Sequence, residues 1–300
     1  MSEAKSIGSR SGAVARAETY VTGGGFESDL SRRVAIRTES QKFPDAGALA
    51  ECHRYLDVEM QPAFAAMGFA TRVYENPFPG QGPILLATRV EDAALPTVLG
   101  YGHGDVIRGL EDQWTKGKGP WDTARDGDRL YGRGTADNKG QHTLNMAALR
   151  AVLDERGGRL GFNAKFIIEM GEEAGSKGLK ELVQANARDF AADVLIASDG
   201  PRVRPDRPTI SLGCRGAVNF DLVVDLREGG HHSGNWGGLI ANPGFLLAHA
   251  LASIVGPKGE LLIEELKAPP MSKAVKGALA DAEIDGGDKG PQVDPWWGEP

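Results

Sequence analysis

Short apolar runs alternate with helical stretches between residues 97 and 199, and this order constrains the fold more than any other feature. Each run has β-branched members and is followed by a polar or glycine-rich loop; the runs end at Tyr101, Met170 and Ser198. Between them lie two stretches of helical periodicity, residues 138–155 and 176–190. Strands that alternate with helices indicate a largely parallel sheet covered by helices. The sequence therefore predicts an α/β fold.

Each of the three apolar runs is followed by at least one carboxylate, and the first also by an imidazole. His103 and Asp105 come after the first run, Glu172 and Glu173 after the second, and Asp199 after the third. Ligands of open α/β sheets collect beyond the carboxyl ends of the strands, so we expect these side chains to line one site. Residues two apart in an extended segment point to the same side. Asp105 is therefore also expected to hold the second ring nitrogen of His103.

A further carboxylate, Asp137, lies in a glycine-flanked loop at residues 132–140, just before the first predicted helix. Such an Asp is most often a turn residue or a helix cap, and a lone His at a strand end is most often structural. Their combination with an adjacent pair of glutamates favours a metal site, because one carboxylate can bind a cation while its neighbour moves a proton. A donor set rich in oxygen and poor in imidazole suits borderline-hard divalent metals.

Composition and missing motifs exclude several other classes of protein. The formal net charge of −7 argues against non-specific nucleic-acid binding, and the two cysteines form no CxxC pair that would bind zinc. The HExxH helix, the P-loop and the Gly-x-Ser-x-Gly nucleophile elbow are absent from the sequence. No stretch is apolar enough to span a bilayer, and the polar first residues do not resemble a signal peptide. We therefore expect a cytoplasmic protein that binds neither nucleic acid nor membrane.

Changes in composition divide the chain into three segments. Residues 1–25 are polar and predict a flexible N-terminal arm, and residues 26–212 carry all the candidate metal ligands. In residues 213–300, an alternating apolar and polar pattern at 218–226 predicts a half-buried antiparallel strand, and residues 243–254 predict a helix. We expect a larger metal-binding domain followed by a smaller α+β domain.

The chain resembles the M20 family of metallopeptidases, and within it the carnosinase-like dipeptidases. The resemblance covers about residues 30–255 and rests on five motifs in order: His103-Gly104-Asp105, Gly132-Arg133-Gly134-x-x-Asp137-Asn138-Lys139-Gly140, Gly171-Glu172-Glu173, Asp199 and His232-Ser233-Gly234. It implies a zinc-peptidase-like catalytic domain at residues 26–212 and a lid or dimerisation domain at residues 213–300. It also implies that a homodimer hydrolyses the amide bond of dipeptides or short peptides.

The resemblance assigns metal-binding roles to four residues. Members of the family hold two zinc ions, or sometimes manganese or cobalt, bridged by a carboxylate and a water molecule. By this resemblance, His103 and Asp199 would bind one ion and Glu173 the other, while Asp137 would bridge the two.

Three further residues would take part in catalysis by the same resemblance. Asp105 would lie behind His103, and Glu172 would act as the general base. His232 would reach across the dimer into the partner's site and help to stabilise the tetrahedral intermediate.

The last part of the sequence departs from the family pattern. Family members normally continue well beyond this point, return to the catalytic sheet and supply a late His to the ion that Glu173 binds. The last histidine here is His249, on a predicted helix among leucines, where a packing or surface role is more common. We therefore expect both domains to be incomplete, one ion to be under-coordinated, and activity to be weak or absent.

Three functions stay open at this point. The first is a dinuclear-metal dipeptidase, and the second is an amidohydrolase of the same fold that removes an acyl group from an amino acid. The third is a truncated, non-catalytic metal-binding fragment. Comparing dipeptides with N-acyl amino acids as substrates separates the first two, and comparison with a chain extended at its C-terminus separates both from the third.

Overall fold

The computed structural model describes residues 8–200, 210–211, 216–280, 292 and 294–297. The chain divides into two compact units, Met1–Asp199 and Gly200–Pro300. The domain boundary that the sequence predicts between residues 212 and 213 lies outside the described residues.

The described part of the first unit contains seven strands. They are β1 Ala70–Tyr74, β2 Ile84–Arg89, β3 Thr97–His103, β4 Ala124–Asp126, β5 Arg129–Tyr131, β6 Asn163–Glu169 and β7 Val194–Ala197. Five of them form one sheet in the order β1-β2-β6-β3-β7, and β4 and β5 form a separate hairpin.

The main sheet is mixed but mostly parallel. Strand β3 pairs in parallel with both β6 and β7, whereas β2 is antiparallel to its neighbours β1 and β6. Four of the five strands therefore run in one direction. This confirms the predicted α/β class. The reversed β2 was not predicted, because a strand buried on both faces has the same apolar pattern in either direction.

Seven α-helices surround this sheet in the described part of the first unit. They are α1 Arg10–Thr22, α2 Gly25–Val34, α3 Ala46–Tyr55, α4 Gln61–Ala65, α5 Lys139–Glu155, α6 Leu179–Ala185 and α7 Ala187–Phe190. A π-helical segment, Leu56–Met60, joins α3 to α4. Short 3-10 turns occur at Ser40–Lys42, Glu111–Gln113 and Glu172–Ala174.

The core consists of two apolar layers, one on each face of the sheet, because successive side chains of a strand point to opposite faces. On one face, side chains of β2 and β6 pack against α3, the π-helical segment, α4 and α5; this layer includes Tyr55, Phe64, Leu85, Met146 and Phe166. On the other face they pack against α6 and α7; this layer includes Ile84, Leu86, Ile167, Leu182 and Phe190. Strand β7 lies at the sheet edge, and its Leu195 is 63% exposed.

Within the segment that the sequence predicts as a flexible N-terminal arm, Arg10–Thr22 form helix α1. The side chain of Ser9 caps the helix by accepting a hydrogen bond from the backbone N–H of Gly12 at 2.9 Å. Helix α1 also packs against α5, and Arg16 Nε lies 2.9 Å from Glu155 Oε2. The serine and glycine that suggested a loose arm are part of a helix cap.

The described part of the second unit combines three α-helices with long irregular segments. It contains α8 Ser233–Trp236, α9 Pro243–Ile254 and α10 Lys273–Leu279, and α9 confirms the predicted helix at residues 243–254. The strand predicted at residues 218–226 is not formed, and Phe220 is exposed. A half-buried strand needs a neighbouring strand, and the described residues of this unit contain only the isolated bridge Val255↔Leu261. In the described part of the chain, no helix has both the length and the apolar character of a membrane span.

Candidate metal centre

The candidate ligands lie at one edge of the main sheet because three parallel strands end there together. His103 is the last residue of β3 and pairs with Glu169, the last residue of β6. The pairing of β3 with β7 ends two residues earlier, at Tyr101↔Ala197. The polar residues that follow each strand therefore leave the sheet side by side, as the sequence predicts.

His103 is at the centre of the group. Its side chain is fully buried, and its Nε2 atom lies 3.0 Å from Asp137 Oδ1. The same atom lies 3.5 Å from Asp199 Oδ1 and 3.8 Å from Glu172 Oε2. Residues from three other segments of the chain thus converge on one ring nitrogen.

The donor set fits a divalent metal ion. One ligand atom from each of His103, Glu172 and Asp199 lies within 4.8 Å of the other two, and Asp137 Oδ1 adds a fourth donor beside the imidazole. One imidazole with several carboxylates is a ligand set that zinc, manganese and cobalt accept. These residues could therefore hold at least one such ion.

Electrostatics at the site favour a cation. Burial acts to lower the pKa of His103, but hydrogen bonds with the carboxylates of Asp105 and Asp199 outweigh it and raise the pKa to about 11. The hydrogen bond with His103 in turn lowers the pKa of Asp199. The carboxylates thus create a strong negative potential at the imidazole, and the same potential attracts a metal ion.

Asp105 supports both His103 and the loop after β6. It is fully buried, and its Oδ1 atom lies 3.4 Å from His103 Nδ1, which also lies 3.1 Å from the backbone oxygen of Asp105. The Asp105 carboxylate accepts hydrogen bonds from the backbone N–H groups of Glu172 at 3.2 Å and Glu173 at 3.0 Å. The contact with His103 was predicted from the sequence, whereas the hydrogen bonds to the backbone of Glu172 and Glu173 were not.

The carboxyl groups of both Glu172 and Glu173 have a raised pKa. Burial is the largest cause that raises the pKa of each, and for Glu173 it acts together with the charge of Asp137 to give a pKa of about 6. Glu172 is the member that the structure groups with His103 and Asp199. The predicted division of roles, with Glu173 as ligand and Glu172 as base, stays a prediction.

Lys139 fixes the loop that carries Asp137 through hydrogen bonds to another segment of the chain. Lys139 is fully buried, and its Nζ atom donates to the backbone oxygens of Arg33 at 2.9 Å and Ile36 at 2.7 Å. The same atom lies 4.9 Å from the centre of the Tyr55 ring. Burial lowers the pKa of Lys139 to about 7. This residue connects the site loop to the last turn of α2 and to the chain just after it, a role that only the folded structure reveals.

A second buried carboxyl group near the site, that of Glu169, was also missed. The Tyr101 hydroxyl donates to Glu169 Oε2 at 2.8 Å, and burial raises the pKa of Glu169 to about 7. A charged residue at the end of an otherwise apolar strand is the sequence signal that could have identified it.

His232, the remaining predicted catalytic residue, belongs to the second unit. It lies just before α8, and its Nδ1 atom accepts a hydrogen bond from the backbone N–H of Gly234 at 3.1 Å. Its side chain is exposed. The role predicted for it across a dimer stays a prediction.

Several curated proteins are similar to this chain. A cysteinylglycine-S-conjugate dipeptidase of Corynebacterium striatum is 38% identical over 171 residues, which are 56% of this chain and 37% of that protein. The human Beta-Ala-His dipeptidase is 36% identical over 189 residues, which are 60% of this chain and 36% of that protein. The chain thus spans less than two fifths of the length of these relatives.

Solved structures show the same fold. The crystal structure of human carnosine dipeptidase 1 matches with a TM-score of 0.66 and 26% identity, over 91% of this chain and 59% of that one. The dipeptidase Dug1p of Saccharomyces cerevisiae matches with a TM-score of 0.68 and 22% identity, over 91% and 58%. The family model for peptidase family M20/M25/M40 matches residues 99–294, which include all the candidate ligands. The chain therefore belongs to peptidase family M20/M25/M40.

Proposed function

We propose that the protein is a metal-dependent hydrolase that cleaves the amide bond of dipeptides or short peptides. One observation carries this proposal: His103, Glu172 and Asp199 converge at the carboxyl edge of the sheet, with Asp137 in contact with the same imidazole. The dipeptidase names of the curated relatives support the choice of substrate, since those proteins are described as acting on Cys-Gly and Beta-Ala-His.

We assign the site to two divalent ions, with zinc as the first candidate and manganese or cobalt as the others. His103 and Asp199 would hold one ion, Glu173 would hold the other, and Asp137 would lie between them. When bound, the ions would supply positive charge that polarises the scissile carbonyl and acidifies a water molecule. His103 Nε2 lies 3.0 Å from Asp137 Oδ1, and this short distance supports the proposal that both residues bind the same ion.

Glu172 is the general base in this proposal. It would take a proton from the attacking water and deliver it to the leaving amine. Its pKa is raised above the ordinary value by burial and by the charge of Asp199, although His103 acts in the opposite direction. A raised pKa brings a carboxyl group closer to the range in which it can both accept and return a proton near neutral pH.

His232 and a homodimer complete the proposal. The His232 imidazole, which is exposed at the start of α8, would stabilise the oxyanion in the site of a second copy of the chain. Sedimentation of the purified protein tests the dimer, and a His232→Ala variant with lower kcat but unchanged metal content would support this role.

The decisive experiment combines metal analysis with a substrate panel. The purified chain is stripped of metal, dialysed against zinc, manganese or cobalt, and analysed for metal per chain. Each form is then assayed with Cys-Gly, Beta-Ala-His and N-acetyl amino acids. We expect up to two equivalents of metal and weak turnover of the dipeptides.

Other outcomes would each contradict a different part of the proposal. Turnover of N-acetyl amino acids alone would indicate a deacylase. Metal uptake without turnover of any substrate would indicate a non-catalytic metal-binding protein. If the chain binds none of the three metals, His103 and its carboxylate neighbours have a purely structural role.

A further inference from the structure

The pairing of β3 with its two neighbours ends at different places. On the β6 side the pairing continues to His103↔Glu169, but on the β7 side it ends at Tyr101↔Ala197. The next residues of β3 and β7 lead to His103 and Asp199, which are the candidate ligands. Something other than backbone pairing must therefore hold these two strand ends at a defined distance.

The side-chain amide of Asn138 occupies this gap. Its Oδ1 atom accepts a hydrogen bond from the backbone N–H of His103 at 3.2 Å, and its Nδ2 atom donates to the backbone oxygen of Ser198 at 2.7 Å. Nδ2 also donates to Asp199 Oδ1 at 3.0 Å. Asn138 is fully buried. One side chain thus bonds to the backbone of both strand ends and to the carboxylate of one candidate ligand.

We propose that Asn138 is a positioning residue whose carboxamide takes the place of a peptide group between β3 and β7 and sets the spacing of His103 and Asp199 for a divalent cation. The inference rests on the proposed metal-dependent function. A carboxamide has the donor and the acceptor of a peptide group, so it can join two strand ends that no longer touch.

A buried pair of side chains sets which end of the amide carries the oxygen. His142 Nδ1 lies 3.2 Å from Asn138 Oδ1, and His142 Nε2 lies 2.6 Å from the hydroxyl of Tyr55. When Tyr55 donates to Nε2, the proton of the neutral ring is on Nδ1 and points at the oxygen of Asn138. Burial lowers the pKa of His142 well below its usual value, which keeps the ring neutral.

Gly102 provides the space that the amide needs. A Cβ atom at this position would lie 2.9 Å from Asn138 Oδ1 and 2.8 Å from the Cβ of His142. Both distances are shorter than ordinary contacts between such atoms, so any side chain at residue 102 would displace the amide. The amide of Asn138 can therefore keep its position only because residue 102 is a glycine.

The test compares Asn138→Leu with a matched control, Asn163→Leu. Leucine keeps the branched shape of asparagine but has no donor or acceptor. Asn163 is also a buried asparagine that joins backbone segments, since it donates to the oxygens of Asp92 at 2.8 Å and Leu95 at 2.9 Å. It lies at the opposite end of β6, where that strand begins.

Two measurements are made on both variants and on the wild-type chain. The first is Co²⁺ affinity with the visible absorption spectrum of the bound ion, which reports the ligand geometry. The second is hydrogen exchange of the His103 amide in the metal-free protein. We expect Asn138→Leu to weaken Co²⁺ binding about 10- to 100-fold, change the spectrum and speed exchange at His103. Asn163→Leu should leave the Co²⁺ affinity and spectrum unchanged, and any faster exchange at His103 should be no larger than its loss of overall stability accounts for.

Equal Co²⁺ affinities in the two variants, or unchanged exchange at His103 in Asn138→Leu, would overturn the inference. If Asn138→Leu does not fold, Gly102→Ala replaces it, because it displaces the amide without removing it, and the same results are expected. A wild-type chain that binds no Co²⁺ would refute the proposed function. The exchange measurement would then still decide whether Asn138 joins the strand ends.

Discussion

Replacing Glu169 with glutamine should make the stability of the protein less dependent on pH. Glu169 is only 2% exposed, and its carboxyl group accepts a hydrogen bond from the Tyr101 hydroxyl at 2.8 Å. Burial raises its pKa from 4.5 to about 7, although hydrogen bonds from Tyr101 and Ser176 oppose the change. A glutamine has nearly the same shape and can still accept from Tyr101, but it does not ionise.

The size and direction of the effect follow from the two pKa values. Between about pH 4.5 and 7 the folded state keeps a proton on Glu169 that the unfolded state has released, so stability falls as the pH rises through this range. Since one pKa unit corresponds to about 1.4 kcal/mol, the loss amounts to about 3 kcal/mol. The free energy of unfolding of Glu169→Gln, relative to that of the wild type, should therefore rise by about 3 kcal/mol between about pH 4 and pH 8.

Urea denaturation of the metal-free proteins, followed by circular dichroism across this pH range, measures the effect. Tyr101→Phe is the matched control, because it removes the hydroxyl that stabilises the charged carboxylate. It should extend the pH-dependent loss of stability to higher pH, because it raises only the pKa of the folded state. A constant difference between Glu169→Gln and the wild type at every pH would refute the reasoning.

Three other substitutions test the site and its loop. Glu172→Gln should retain bound metal but lower kcat about 100-fold or more, because it removes the proposed base and not an assigned ligand; loss of metal by elemental analysis would contradict this. Asp137→Ala should abolish binding of both ions, and retention of two metal equivalents after dialysis would refute the bridging role. Gly140→Ala should lower the free energy of unfolding by about 1–3 kcal/mol, because its Cβ would overlap the backbone oxygen of Thr135. Gly277→Ala, in α10 with open space around it, should leave stability unchanged or raise it, and equal losses in thermal melts would show that the Thr135 contact does not matter.

The parts of the fold that the sequence predicted well depend on local pattern. The apolar runs within β3, β6 and β7 are short and lead directly into polar residues, so both their existence and the place where they end could be predicted. For the same reason His103 and Asp199 were expected at one edge of the sheet. Helix α9 was predicted at its observed bounds because Asn242 and Pro243 form a clear helix start.

The parts that were missed depend on neighbours that are distant in the sequence. The pattern at residues 218–226 suits a strand, but a strand also needs a partner, and the described residues of the second unit contain none. Helix α1 is stabilised in part by Glu155, which lies far along the chain. The roles of Asn138 and Lys139 depend on bonds to other segments, which no local pattern reveals.

The Asp105 carboxylate binds the backbone N–H groups of Glu172 and Glu173 and not their side chains. The backbone position of this turn therefore does not depend on the two glutamate side chains. Either glutamate can therefore be shortened or neutralised while the backbone keeps its position. A change in rate or metal content can then be interpreted as the loss of one side chain and not as a displaced loop. Substitution of Asp105 would release both backbone N–H groups at once. Residues 172 and 173 can therefore be substituted to change the chemistry of the site, provided that Asp105 is kept.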